Sequence, residues 1–375
     1  MPPRHDPSWC LFGTSAIRGR LASLARETDC VSKGEDAECI HRMRVASRRL
    51  TTALGLFETC LPPRRFKAWT RRIRRLRRAL GAARDTDVQI EFVAGFLQGL
   101  GDETAGPGLE RLLLRLRQKR AALQGDVRRA LERLQESRAI GELRTRLRRV
   151  AARAKEGGTD PRAAPVYILA EGAVVRHLGG LLEFERFVHR PKCADELHAM
   201  RIAAKHLRYT MEVFKDLYPD ELKPFIRAAR QAQTLLGELH DLDVWVAWLP
   251  QFLADERDRT IEFLGDEKPL VPLAKGIHFL AKHCGEARAA KHAEFAAFWD
   301  ALRKEGAWDR LRETLRYRPA TAAPAPGDGD AAPDEPRDVA TLVSPPPDEG
   351  ADSVPPDGPT APPDEAPPAP PEPQA

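Results

Sequence analysis

The chain has 375 residues, 31% of them charged, with a formal net charge of +5 and six cysteines. No run of 18 apolar residues exists and the first 20 residues lack an apolar signal core, which argues against a membrane-spanning helix or secretion and predicts a cytoplasmic protein. None of Cys10, Cys30, Cys39, Cys60, Cys193 and Cys284 forms a C-x-x-C pair, so the simplest expectation is six separate reduced thiols.

The charge is unevenly spread. Residues 320–375 hold 17 of the 32 prolines, no aromatic residue, 12 acids and one base, Arg337. Such a segment buries too little apolar surface to offset its ordering entropy, and it is predicted to be a disordered acidic tail. Its net charge of −11 leaves residues 1–319 at +16. A body this basic favours a polyanionic partner over mere solubility.

Within the body, period-2 alternation is absent and apolar residues recur at spacings of three and four, so the fold class is all-α. The chain contains no Asn, so helix starts are expected to use Ser, Thr, Asp or Gly. The chain also repeats itself. "HRMRVASRRLTTALGLF" (41–57) aligns with "HAMRIAAKHLRYTMEVF" (198–214), with six identities at an offset of 157. "LGAARDTDV" (80–88) aligns with "LGELHDLDV" (236–244), and a later block pairs Arg120 with Arg288 and Leu134 with Leu302 at an offset of 168. The prediction is a two-half helical bundle over 11–318, with halves near 11–156 and 163–318 related by a pseudo-two-fold axis. "KEGGTDPRAAP" (155–165) is the linker, and "CLPP" and "LYPD" are matching helix breaks.

Helical geometry sorts the basic residues. At 100° per residue from His41, Met43, Ala46, Leu50, Leu54 and Phe57 fall at about 140–220°, whereas His41, Arg44 and Arg48 fall at about 300–360°. In the second copy, Met200, Leu207, Met211 and Phe214 share the apolar stripe, and His198, Arg201, Lys205 and Arg208 share the other. The His/Arg face is therefore expected to look to water or into a groove between the halves. The next helix, 64–84, carries ten bases and no acid. Lys67, Arg71, Arg74, Arg75 and Arg78 cluster away from its apolar stripe, and Lys223, Arg227 and Arg230 stand at the places of Lys67, Arg71 and Arg74. Crowded like charges are tolerable where an anion neutralises them, and the planar guanidinium fork fits phosphate oxygens. Asp85 and Asp241 follow glycine-containing breaks at Gly81 and Gly237. They are assigned to helix capping or to a salt bridge with a neighbouring Arg.

Together, "H-x-M-R-V-A-x-R-R-L", "H-x-M-R-I-A-x-K-x-L-R-Y" and the two "LG-x-x-R/H-D-x-D-V" motifs resemble the CHAD domain, the conserved histidine α-helical domain, over about residues 11–318. The resemblance implies binding of inorganic polyphosphate in a basic groove or pore; the leading expectation is a non-enzymatic binder without a cofactor, with polyphosphate-containing granules as a further candidate partner. Carried over by position, it nominates His41, Arg44, Arg48, Arg49, His198, Arg201, Lys205 and Arg208, followed by the bases of the next helix. Thr51 departs from the pattern, standing where the second copy has Arg208. No E-x-E-x-K run of a triphosphatase domain occurs, so the chain resembles a stand-alone CHAD protein with no implied hydrolase.

Three other functions compete with this one. General nucleic-acid binding is disfavoured because the basic helices carry no interleaved stacking aromatics and the acidic tail repels DNA. A metal site on His41 and His198 is disfavoured because neighbouring arginines repel a cation and no H-E-x-x-H occurs. A scaffold for acidic partners or granules is compatible with polyphosphate binding, and the tail is a candidate competitor for the basic groove.

Overall fold

Proline opens most of the helices. In the computed structural model, which describes residues 6–33, 37–101 and 103–316, six helices carry Pro at their first or second position. Proline has no N–H to leave unpaired in the first turn and its φ is already helical. A side-chain cap is seen at α1 (Pro7–Arg26), where Asp6 Oδ1 accepts from the Trp9 N–H at 2.9 Å. The expected reliance on Ser, Thr, Asp or Gly caps is thus largely replaced by proline. The predicted tail, 320–375, lies outside the described residues.

Among the described residues there are eleven α-helices and no strand. After α1 come α2 (Thr28–Lys33), α3 (Ala37–Leu56), α4 (Pro63–Gln98), α5 (Gly106–Glu136) and α6 (Ala139–Glu156). A short linker leads to α7 (Ala164–Leu182), α8 (Ala194–Phe214), α9 (Lys223–Leu264), α10 (Val271–Lys304) and α11 (Ala307–Leu315). α3 packs on α1, α4 and α8, while α4 pairs with α5 and α9 with α10. α5 meets α10, so the halves touch at two levels.

The main core holds the predicted apolar stripes. Met43, Leu50 and Leu54 of α3, Phe57 just after it, and Met200, Leu207, Met211 and Phe214 of α8 are all fully buried. The ends of α3 and α8 meet through Phe57 and Phe214, whose ring centroids lie 6.3 Å apart, and Trp9 and Phe12 of α1 pack on both rings. A Cβ on Gly13 would overlap the Phe57 ring, so glycine lets α1 approach this closely. A second core joins the far ends of the two long hairpins through Leu109, Leu112, Trp245, Leu249, Ile277 and Leu280. There α5 and α10 cross at Gly108 and Gly276. A Cβ on Gly108 would overlap Leu273 O and one on Gly276 would overlap Ala105 O, a reciprocal contact at the offset of 168.

Two expectations need correction. α4 and α9 run unbroken through Gly81 and Gly237. Gly81 is not a break: it sits inside the helix beside Arg44, whose Nε would lie 3.8 Å from a Cβ there, an ordinary packing distance. Nor are the cysteines six separate thiols. Cys10 bonds to Cys60 and Cys30 to Cys39, with Cα–Cα separations of 5.3 and 5.8 Å, leaving Cys193 and Cys284 free. Cys10 and Cys60 are 50 residues apart, and packing of α1 against the end of α3 brings them together, which spacing alone does not reveal.

Candidate functional site: a buried basic belt and the clefts around it

The predicted residues separate into two populations. His41, Arg44 and Arg48 of α3 and Arg201 and Arg208 of α8 are buried. Arg49, His198 and Lys205 are half-buried, while Lys67, Arg71, Arg74, Arg75, Arg78, Lys223, Arg227 and Arg230 are exposed. The motif face of α3 thus does not look to water, because α4 covers the side opposite its apolar stripe.

The D-x-D motif explains how α4 is held there. Asp85 Oδ1 accepts from Arg44 Nη2 at 3.1 Å, with both side chains buried. Asp87, about 200° further round the helix, accepts from Arg120 Nε of α5 at 2.6 Å. One aspartate ties α4 to α3 and the next ties it to α5, so the salt-bridge reading of Asp85 holds and the capping reading does not. Arg288 of α10 pairs likewise with Asp243 of α9. Burial pushes the Asp87 carboxyl above its ordinary range, and Arg120 pulls it back only in part. After the linker, His198 packs against His240 with ring centroids 3.9 Å apart and the rings tilted by 43°.

Exposed cations line three clefts. The largest, about 1060 Å³, runs between α1 and the start of α9, with the end of α8 and the linker at its sides. Arg18, Arg20, Arg49, Arg162, Lys215, Lys223, Arg227 and Arg230 line it against two carboxylates, Glu212 and Asp216. Glu212 organises its floor. Arg49 Nε donates to Glu212 Oε2 at 3.2 Å, Arg208 Nε lies 3.7 Å from Oε1, and Arg20 Nη2 donates to the Glu212 carbonyl at 3.0 Å. Arg208 therefore links the buried belt to the cleft. Partial burial, with Arg49 close by, lowers the Arg20 pKa, opposed by Glu212. The side chains of Arg18, Lys215, Arg227 and Arg230 make no hydrogen bond or ion pair among the described residues.

A second cleft, about 710 Å³, is lined by Arg72, Arg75 and Arg78 of α4 and by Arg129 and Arg133 of α5. A third, about 680 Å³, has Arg65, Arg138, Arg146 and Arg149 around Glu142. The structure thus brings four nominated residues, Arg49, Lys223, Arg227 and Arg230, into the first cleft and two, Arg75 and Arg78, into the second. Lys67, Arg71 and Arg74 line none of the three. Sequence reasoning missed Arg18, Arg20, Arg162 and Lys215. Repetition was the filter, and Arg18 has Val175 at its matched place, so an unrepeated base on α1 carried no signal.

Among the described residues, no group of three or more His, Cys, Asp and Glu side chains is placed to hold a metal ion, and no helix is long and apolar enough to cross a membrane.

Comparison with known proteins agrees with this architecture. The family model described as the CHAD domain matches residues 15–250. Among solved structures, the crystal structure of the CHAD domain from the plant Ricinus communis is similar, with a TM-score of 0.60 and 25% sequence identity. The match covers 79% of this chain and 91% of that one. No curated protein matches the chain.

Proposed function

The chain belongs to the CHAD domain family, and from that premise we propose that it binds inorganic polyphosphate without transforming it. The observation that carries this reading is the cleft of about 1060 Å³ between α1 and α9, where eight cationic side chains face two carboxylates. Four of those cations make no hydrogen bond or ion pair among the described residues, so they meet an anion without first giving up a partner. Arginine forks hydrogen-bond phosphate oxygens in pairs, and lysine adds point charge. A flexible chain of phosphates is the polyanion best matched to a short, crowded, aromatic-poor cleft.

Guanidinium and ammonium groups are donors only. They hold phosphate oxygens and offer no lone pair to a proton or a phosphorus atom; of the two carboxylates in the cleft, Glu212 is already paired with Arg49 and Arg208, and these features together support binding rather than cleavage. In this reading the buried belt acts indirectly. Arg44, through Asp85, holds α3 against α4, and Arg208, through Glu212, supports the cleft floor. Association with polyphosphate granules and a cytoplasmic location belong to the same proposal, the second against the two disulfides, which are rare in reducing compartments.

The test is a titration of labelled polyphosphate against the wild-type chain and an Arg227→Ala/Arg230→Ala variant at two salt concentrations. Removing two phosphate contacts should weaken binding by about tenfold or more and flatten the salt dependence, by analogy with counterion release from nucleic acids. Equal affinity for both proteins would exclude this cleft. Displacement by duplex DNA at equal phosphate concentration would turn the reading into general polyanion binding.

A further inference from the structure

The acidic segment 328–375 carries the opposite charge to the cleft, and the described part of the chain ends beside that cleft. α11 ends at Leu315, whose carbonyl accepts from the Tyr218 hydroxyl at 3.2 Å. Tyr218 lies in the turn between α8 and α9, two residues after Asp216 and five before Lys223, both of which line the cleft. The last described residues of the chain are therefore tied to the cleft's own rim. The first tail acid, Asp328, stands thirteen Cα–Cα steps after Leu315, with twelve residues between them. At full extension these steps reach about 45 Å, which places the acids within range of a cleft that begins beside Leu315.

The tail's acids are also grouped. Pro-Asp-Glu occurs three times, at 333–335, 347–349 and 363–365, and Arg337 is the one base among twelve acids. Each Asp-Glu pair presents two adjacent carboxylates, and carboxylate, like phosphate, takes the arginine fork in bidentate fashion. A ligand tethered to its site acts at a high effective concentration, of millimolar order for a short flexible link. Weak individual contacts then suffice for occupancy, and three equivalent pairs multiply the chances of one being seated.

We infer that the acidic tail of this chain docks its Asp-Glu pairs in the cleft lined by Arg18, Lys215, Lys223, Arg227 and Arg230. There it shields these cations until a stronger polyanion displaces it. The contact is a property of the chain itself and does not depend on polyphosphate being the natural ligand.

Zero-length coupling on the full chain tests it. A water-soluble carbodiimide joins a carboxylate to a lysine amine as an amide, taking up the lost water as a urea, and only where the two groups touch. Peptide mapping of the monomer should find tail acids coupled to Lys215 and Lys223 at least fivefold more than to Lys119 and Lys282, which are exposed on α5 and α10. The Arg227→Ala/Arg230→Ala variant should lower that yield at least threefold with its helical circular dichroism unchanged. Coupling spread evenly over all lysines would overturn the docking, as would coupling found only in dimers with a yield rising with concentration. Coupling that resists saturating polyphosphate would establish the tail contact and sink the polyphosphate assignment of this cleft. Polyphosphate binding with no tail coupling would sink the tail contact alone.

Discussion

Arg44 is 4% exposed, held between α3 and α4 against the carboxylate of Asp85. Arg227 and Arg230 stand on the open face of α9 with no side-chain partner among the described residues. These side chains are chemically the same, and the fold uses them in opposite ways. A buried guanidinium must be paired, and once paired it ties two helices in a fixed orientation. An exposed one contributes little to stability and stays available to an external anion. The sequence motif that marks the family is mostly of the first kind here, whereas much of the proposed binding surface is of the second.

The largest expected effect breaks the buried side of this contrast. Arg44→Ala leaves Asp85 charged and buried, and should cost about 3–5 kcal/mol in denaturant unfolding. Arg44→Met combined with Asp85→Leu should recover most of that loss, since two apolar side chains leave no unpaired charge. A double variant no more stable than Arg44→Ala would show that the pair is not the tie described.

A smaller effect is expected at an intermediate site. Glu256 of α9 is 1% exposed and accepts from Arg111 and Arg115 of α5 and from Arg259. Burial pushes its carboxyl up, but the hydrogen bonds from the three arginines outweigh this and hold its pKa below the ordinary 4.5. Because the folded-state pKa is depressed, the stabilisation is present above pH 4.5 and fades as pH falls through the folded value. Glu256→Gln should cost about 1–2 kcal/mol at neutral pH, allowing for the partly exposed arginines. The gap between variant and wild type should close in acid. A gap independent of pH would assign the loss to packing.

The smallest effect sharpens the other side of the comparison. Arg227→Ala with Arg230→Ala should change unfolding free energy by no more than about 0.5 kcal/mol, while polyphosphate affinity falls. A marked loss of stability would mean that these arginines are structural too.

Much of this was legible beforehand, for identifiable reasons. Met43, Leu50 and Phe57 recur at helical spacing, and a stripe of that kind must be buried whatever covers it. The prolines at 62–63 and 219 fall in the breaks between α3 and α4 and between α8 and α9, where Pro63 opens α4 with its helical φ already set. The burial of Arg44 and Arg48 was not legible. A helical wheel separates the two faces of α3, but it cannot say that a second helix covers the polar one. The place of Gly81 was obscured in the same way: glycine in a sequence suggests a break, and only the structure shows it inside an unbroken helix beside Arg44.

By itself, the sequence determined the helices, their order, the apolar face of each and the separation of a +16 body from a −11 tail, because these depend on local periodicity and charge. Tertiary structure alone decided which cations are ties and which are open to a ligand. It also decided that Cys10 meets Cys60, and that Arg18 and Arg20 of α1 share a cleft with Arg227 of α9. Burial, pairing and clefts depend on what packs against a helix, and that partner is set by contacts between residues far apart in the chain.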